Sequence, residues 1–424
     1  MNQKLKEFLE KHGMSAALVV PSAEAGKMRE DMQRGLEGKD ASMAMIPTYL
    51  SNSGATPLGE KAIVIDAGGT NFRCGLLEFT EGGFELTEVK KSLMPGIGKS
   101  ATWEEFIRFV VDMIEPLCDW ADKIGFCFSY SADITPEIDG RVIRIDKEVV
   151  ITGSEGQLVG ASMVKELEKR GIYGKRVGIL NDTVAVLLGG ASVLDKSAFS
   201  GFAGQVSGTG TNTCCELPAE RILKINGEGE RGMIVNLESG LYTGVAQGDF
   251  DRQLDAESNN PGSKIFEKLT AGVYLGELCR IMLKAAADEA LLSEGCAAAV
   301  RELGRIDSAV IDAWSCGENL SDICAEGEDS DFVRELCCEL FERSARCMCT
   351  NILAIMLLTG KGVEGGKPFC VCAEGSLVQK SRYYRPALER LLSEEGAKLG
   401  LCGVLRVGDG STMPGSAAAA LLNL

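Results

Sequence analysis

The segment Ile63–Phe79, IVIDAGGTNFRCGLLEF, limits the possible folds of this chain more than any other. KAIVID and FRCGLLEF read as two strands around a tight turn, with an acid, Asp66, closing the first strand. The glycines let a ligand approach the backbone closely, and consecutive N–H groups in such a turn form an anion-binding nest. A plain hairpin turn capped by Asp66 is the alternative reading of this motif taken alone.

Three further turns share its chemistry. SGTGTN (207–212), AEGS (373–376) and GDGS (408–411) each follow an apolar strand-like run. Four such turns converging on one polyphosphate is what a nucleotide cleft between two β-hairpin domains requires. Two commoner phosphate motifs do not compete. LMPGIGKS (93–100) has leucine where a P-loop needs its first glycine. GEGERG (227–232) lies between RILKIN and MIVNLE, two expected strands, whereas the dinucleotide fingerprint joins a strand to a helix.

The rest of the chain supplies the matching elements. Helical periodicity runs through residues 1–50 in two segments, through 100–123, through KIFEKLTAGVYLGELCRIMLKAAADE (264–289), and through 331–360. IGFCFSY (124–130), KRVGILND (175–182), RILKING (221–227), KPFCVCAEGS (367–376) and GVLRVGDGS (403–411) read as strands, and TVAVLLGGAS starts a helix. Strand hairpins followed by helix and strand occur twice, which suggests two related α/β halves.

Charge and composition narrow the function. A net charge of −17 excludes a nucleic-acid backbone or an anionic membrane as the main partner, so an anionic substrate has to be held by local positive groups. No apolar run approaches the roughly 20 residues that span a bilayer, and MNQKLKEFLEKHG reads as an amphipathic helix rather than a signal peptide. Sixteen cysteines without a CxxC read as reduced, buried small hydrophobes of a cytoplasmic protein, and the CxC pairs Cys347/Cys349 and Cys370/Cys372 lack histidine company for a metal. His12 is the only histidine, expected at the surface near a helix end. A Ser-His-Asp triad, a His-rich zinc site or a histidine phospho-carrier would all have to use it, so a general base is expected to be a carboxylate.

The motifs DMQRGL with MIPTYL, DAGGTNFR, FCFSYS, LNDTVA, GTGTN, MIVNLE, NNPGSKIFEKLTAGVYLGEL, AEGS and GDGS follow one another nearly end to end. In this wording and order the sequence resembles the hexokinase family, the ATP-dependent hexose kinases of the actin/sugar-kinase superfamily. The resemblance implies a two-domain actin-like (ribonuclease H-like) α/β fold with a ligand cleft that closes on sugar. Residues 1–57 would be N-terminal helices packing with a large domain, 184–411. Residues 58–183 would form the small domain, completed by a C-terminal helix within 412–424, its helical part spanning only Gly415–Leu424.

The resemblance also implies roles. Asp182 would be the base that activates the 6-hydroxyl of a hexose, glucose foremost, in the first step of glycolysis; read alone, it is as well placed to cap the following helix. Ser129, Asn181, Asn212, Glu238 and Glu267 would hold sugar hydroxyls. Lys147 would contact the substrate and bring positive charge to the moving phosphoryl group. Asp66 would hold the Mg²⁺ of Mg·ATP through water. Gly68, Gly69, Thr70, Asn71 and Arg73, with Gly208 and Thr209, would cradle phosphates, and Gly375, Ser376, Gly410 and Ser411 would border the adenosine. Three positions depart from the family pattern: Asp146 where threonine is usual, SYS (129–131) where SFP is usual, and Ser239 where tryptophan is common. They leave open a kinase of another hexose or amino sugar, and a sugar-binding regulator with impaired catalysis.

Overall fold

The structure, a computed structural model, describes residues 2–145, 149–226 and 232–424. The chain forms two compact units, Met45–Gln205 with Thr213–Leu237 and Gly408–Leu424, and Met1–Ala44 with Val206–Asn212 and Glu238–Val407.

The first unit is built on a five-stranded sheet. Its order is Arg176–Leu180, Lys123–Phe128, Lys61–Gly68, Asn71–Thr80, Gly83–Leu93; the first three strands are parallel and the last two complete an antiparallel meander. The central strands are apolar on both faces because both faces are covered. On one side the helices Trp103–Ile114 and Val159–Lys169 bury Phe106, Val110, Met163 and Leu167 against Ile63, Ile65 and Phe126. A capping box starts the first of these helices: Glu105 N–H donates to Thr102 Oγ1 at 3.2 Å and Thr102 N–H to Glu105 at 2.8 Å. That helix is shorter than its periodicity suggests. It gives way at Ile114 to a 3₁₀ turn, Glu115–Leu117, because Pro116 has no N–H to continue it.

The helices Asp182–Ser192 and Thr412–Asn423 also belong to this unit. They meet through glycine: a Cβ on Gly415 would lie 2.0 Å from Ala185 O, and one on Gly189 2.2 Å from Ser411 O. Gly125 lets the sheet take the same helix, since its Cβ would stand 1.9 Å from Ser416 O. The C-terminal helix thus begins at Thr412, directly after GDGS, and not at Gly415. Pro414 sits in its first turn, where a missing N–H is harmless.

A second set of strands, Gly201–Ser207, Thr211–Pro218, Gly232–Asn236 and Ile46–Pro47, are neighbours in that order, and all of them apart from residues 206, 207, 211 and 212 belong to this unit. Among the described residues of RILKING the expected strand is absent. Pro218 ends the ladder, and the chain makes two 3₁₀ turns, Ala219–Arg221 and Leu223–Ile225, the second closed by Asn226 in the left-handed region at φ 60°. The GEGERG motif that follows lies outside the described residues apart from Gly232.

The other unit is largely helical. The 32-residue helix Glu328–Thr359 runs through its core and packs on Pro21–Leu36 and Tyr384–Lys398. Phe369–Glu374 and Gly403–Val407 form a parallel pair. The long helix expected over 264–289 is broken into Ile265–Thr270 and Gly272–Asp288 by an extended Ala271. Gly272 N–H donates to Gly208 O at 2.8 Å, and a Cβ there would meet Ser308 Oγ at 2.8 Å, so the break docks the helix on the GTG turn. His12, expected at the surface, is largely buried. Its ring nitrogens lie 2.9 Å from Asp249 Oδ2 and 2.7 Å from Glu289 Oε1, tying the first helix to two others.

Candidate active site

In the Met45–Gln205 unit the site follows from strand register. Asp66, Cys127 and Leu180 are direct neighbours across three parallel strands, so the residues just beyond their carboxyl ends line up. These are the Gly68–Gly69 turn, Ser129, and Asn181 with Asp182. Ligands in α/β sheets bind at such carboxyl ends. Burial first, then the carboxylates of Asp66 and Asp182, push the Cys127 thiol well above its ordinary range, so both acids bear on one point of the middle strand.

The cap question at Asp182 has a definite answer. Asn181 is the N-cap, its side-chain oxygen accepting from Thr183 N–H at 2.9 Å, and Asp182 is the first helical residue. Asp182 Oδ1 accepts from the same N–H at 2.7 Å and from Thr183 Oγ1 at 3.2 Å. Both bonds fall on Oδ1 and hold the carboxylate at a helix N-terminus, where negative charge is favoured.

Around the first glycine turn the contacts are ionic. Asp66, a buried carboxylate, pairs with Arg73 and accepts from Thr412 Oγ1 at 3.0 Å. Its Oδ1 faces the turn, 3.7 Å from where a Cβ on Gly68 would stand. Gly69 adopts φ 58°, and its carbonyl accepts from the buried Tyr130 hydroxyl at 2.9 Å, while Ser129 N–H donates to Ala67 O at 3.1 Å. Asp66, Gly68, Asn71, Phe72, Arg73 and Lys91 line a cavity of about 340 Å³ beside this turn. Gly410, at φ 73°, and Ser411 belong to this unit too, immediately before Thr412.

The Val206–Asn212 and Glu238–Val407 stretches of the other unit hold a carboxylate pair. Asn212 Nδ2 donates to Glu238 Oε1 at 3.4 Å, and its side-chain oxygen accepts from Ser239 N–H at 3.3 Å. Glu267 accepts from Thr211 N–H at 3.2 Å and lies 3.4 Å from Lys264. Glu238 is held at φ 56°, a conformation that non-glycine residues adopt mostly where function or tight packing demands it. Ser239 is fully buried beside Gly240, whose Cβ would press on Glu267 at 3.2 Å, so a tryptophan at 239 has no room in this packing.

A cavity of about 380 Å³ opens in the same unit, lined by Gly208, Thr209, Ser308, Asp312, Ser376 and Lys380 among others. Its floor requires glycine. Gly375 sits at φ 115°, and a Cβ there would be 2.3 Å from Ser207 O. The volume suits a nucleoside-sized ligand. Lys147 and the neighbouring Asp146 lie outside the described residues.

Two family models described as Hexokinase match residues 4–192 and 202–422. This chain belongs to the hexokinase family. Hexokinase-7 of Oryza sativa subsp. japonica is 30% identical over 416 residues, spanning 88% of this chain and 88% of its own length. Hexokinase-1 of Nicotiana tabacum is 29% identical over 433 residues, spanning 92% of this chain and 84% of its own. A crystal structure of a hexokinase superposes with a TM-score of 0.82 at 21% identity over 99% of this chain and 100% of that one. Hexokinase from Schistosoma mansoni complexed with glucose superposes with a TM-score of 0.74 at 22% identity, over 99% of each chain. The fold is therefore that of the two-domain actin-like sugar kinases.

Sequence reasoning missed Thr412, Lys91, Ser308, Asp312 and Lys380. Thr412 had a visible signal, since it directly follows GDGS. Asp312 had none: its carboxylate accepts from Ser381 Oγ at 2.6 Å, Arg382 N–H at 3.0 Å and Arg382 Nε at 3.2 Å, partners 69 and 70 residues away.

Proposed function

We propose that this chain, as a hexokinase, transfers the γ-phosphoryl group of ATP to the 6-hydroxyl of a hexose, glucose first, with Asp182 as general base. Asn181, Asn212, Glu238, Glu267 and Ser129 are assigned to the sugar hydroxyls. A hexose offers O–H donors that paired carboxylates accept, while an asparagine amide donates in return. Asp182 takes the proton of the 6-hydroxyl as its oxygen attacks the γ-phosphorus. The bond from that phosphorus to the bridging oxygen breaks, ADP departs with the electron pair, and Asp182 later releases the proton to solvent.

Lys147 is assigned positive charge at the transferring group. The Gly68–Thr70 turn with Asn71 and Arg73, and Gly208 with Thr209, are assigned to the phosphates. The cavity lined by Gly208 and Ser376 is assigned to the nucleoside, with Gly375 as its floor, and Gly410 and Ser411 are likewise assigned to the adenosine. Asp66 suits Mg²⁺ held through water: one of its oxygens is engaged by Arg73 and Thr412 and the other faces the glycine turn. No three His, Cys, Asp or Glu groups among the described residues converge on a metal position. The remaining ligands would come from phosphate and water, and the ion would neutralise phosphate charge.

We place the protein in the cytoplasm, where its sixteen free thiols stay reduced. No helix among the described residues is long and apolar enough to cross a membrane.

The observation that carries the reading is the strand register that sets Asp66, Ser129 and Asp182 at neighbouring strand ends, with Asn181 as the helix cap. Coupled ADP release with glucose, mannose, fructose and glucosamine tests it. Turnover with at least one sugar is expected, and none with any of them would overturn it.

A further inference from the structure

Glu267, assigned above to the sugar, stands on a helix too short to be stable by itself. Ile265–Thr270 has six residues, well below the roughly 12–15 that an isolated helix needs. It begins at Lys264, in the left-handed region at φ 54°, and ends at the extended Ala271, so neither neighbour continues it. Outside contacts must therefore aim it. Ile265, Phe266 and Leu269 are buried, but apolar packing is not directional. The directional contact is Lys268, next in sequence to Glu267. It is the only buried lysine among the described residues, with a side chain 1% exposed. Its Nζ donates to Asp255 Oδ1 at 2.6 Å and to Asn260 O at 2.8 Å. Asp255 belongs to the helix Asp249–Glu257, and its other oxygen accepts from Gly262 N–H at 2.9 Å. One ammonium thus fastens three pieces: that helix, the 258–263 loop and the helix of Glu267. The helix Asp249–Glu257 is anchored in turn by a second buried pair, Arg343 Nη1 of the long helix donating to Asp251 Oδ1 at 2.9 Å. A buried ion pair gains little stability over apolar side chains of the same size, so what it supplies here is geometry. Glu267 needs that geometry. Its Oε2 accepts from Thr211 N–H at 3.2 Å and lies 3.1 Å from where a Cβ on Gly210 would stand, so a tilt of the helix breaks the fit.

We propose that Lys268, through its pair with Asp255, is a positioning residue that sets Glu267 against the sugar hydroxyls. This rests on the assignment of Glu267 in the reading above, and the test measures sugar binding apart from turnover. Lys268→Met alone strands the Asp255 charge, so the variant to use is Lys268→Met with Asp255→Asn, in which neither charge is left buried. Its melting temperature without ligand reports folding. Calorimetric titration with glucose and steady-state kinetics should give a dissociation constant and a KM for the hexose raised about tenfold, the size of one misaligned charge-assisted hydrogen bond. KM for ATP should stay close to that of the unaltered chain. A merely structural role would lower kcat through the fraction of folded chain and leave the glucose constants alone. Asp255→Asn by itself keeps an acceptor for Lys268 and should raise both glucose constants by a smaller factor; it carries the test in case the double variant does not fold. Unchanged glucose constants in a folded variant overturn the proposal and leave the kinase reading intact. Glucose binding without ADP release in the unaltered chain overturns the kinase reading instead, and the dissociation constants still decide the role of Lys268. If the unaltered chain binds no hexose, both fall.

Discussion

At the scale of single residues, the division of labour between Asn181 and Asp182 sets the sharpest test. Because Asn181 caps the helix, replacing Asp182 removes a carboxylate and spares the cap. Asp182→Ala should therefore lower kcat by about 10²–10⁴, the usual contribution of a general base, while thermal melts stay close to the unaltered chain. Retention of most of the ADP release would refute the assignment. Tyr130 gives a second test. Its hydroxyl ties the strand end assigned to the sugar to the Gly69 carbonyl of the turn assigned to the phosphates, at a position where the family pattern has phenylalanine. Tyr130→Phe removes a single hydrogen bond, worth about 0.5–1.5 kcal/mol. It should raise KM for ATP severalfold with little change in KM for the hexose; an unchanged KM for ATP would make the bond incidental. Asp182 was legible in LNDTVA only as a base or a cap, because one residue of register decides between them and sequence fixes caps no better than that. The Tyr130 hydroxyl had no readable partner, since a carbonyl carries no signature in sequence.

At the scale of elements, the helix that begins at Asp182 and the helix that begins at Thr412 touch through Gly189 and Gly415, with no space for a methyl group on either. Gly415→Ala brings its Cβ to 2.0 Å from Ala185 O, an overpacking that costs about 1–3 kcal/mol. It should depress the melting temperature and, by moving the starts of both helices, lower kcat together with it. A second element-scale prediction concerns pH. The first helix is fastened by carboxylates held below their ordinary range, Asp249 mainly by the His12 hydrogen bond and then by Arg252, and Glu289 mainly by Lys11, then, against a counteracting burial, by His12. A depressed carboxyl contributes stability that is present above its unfolded value, about 3.9 for Asp and about 4.3 for Glu, and is lost as pH falls through the lower folded value. Melting temperatures of the unaltered chain and an Asp249→Asn, Glu289→Gln variant should thus differ at pH 6 and converge toward pH 3. A gap that stays constant would mean the fastening is not electrostatic. Periodicity read most helices and strands correctly, yet it ran the 264–289 segment through Ala271 and started the last helix three residues late. Both errors arise where a distant backbone, Gly208 O or Ala185 O, dictates the local geometry.

At the scale of the whole molecule, the motif order was legible almost end to end, because the glycine turns must recur after each strand. The boundaries of the units were harder to read: each is assembled from three stretches of chain, and the segment Val206–Asn212 leaves its neighbours for the other unit and returns. What sequence leaves open is whether the complete set of acids turns a sugar over or only binds it, and ligand linkage separates the two. A ligand that binds the folded chain alone stabilises it by RT ln(1 + [L]/Kd), about 2.7 kcal/mol at a hundred times Kd. Glucose should raise the melting temperature in proportion to the logarithm of its concentration, and should do so in Asp182→Ala as well, because Asn212, Glu238 and Glu267 remain. Glu267→Ala should abolish most of the shift. A catalyst then shows glucose-dependent ADP release in the unaltered chain and none above background in Asp182→Ala, with the thermal shift preserved in both. A regulator shows the shift in both and release in neither. The register of Asp66, Cys127 and Leu180 predicts the first outcome: it sets the carboxylate assigned to the metal and the carboxylate assigned to the proton two strands apart, about 10 Å, a span that sugar binding alone has no use for.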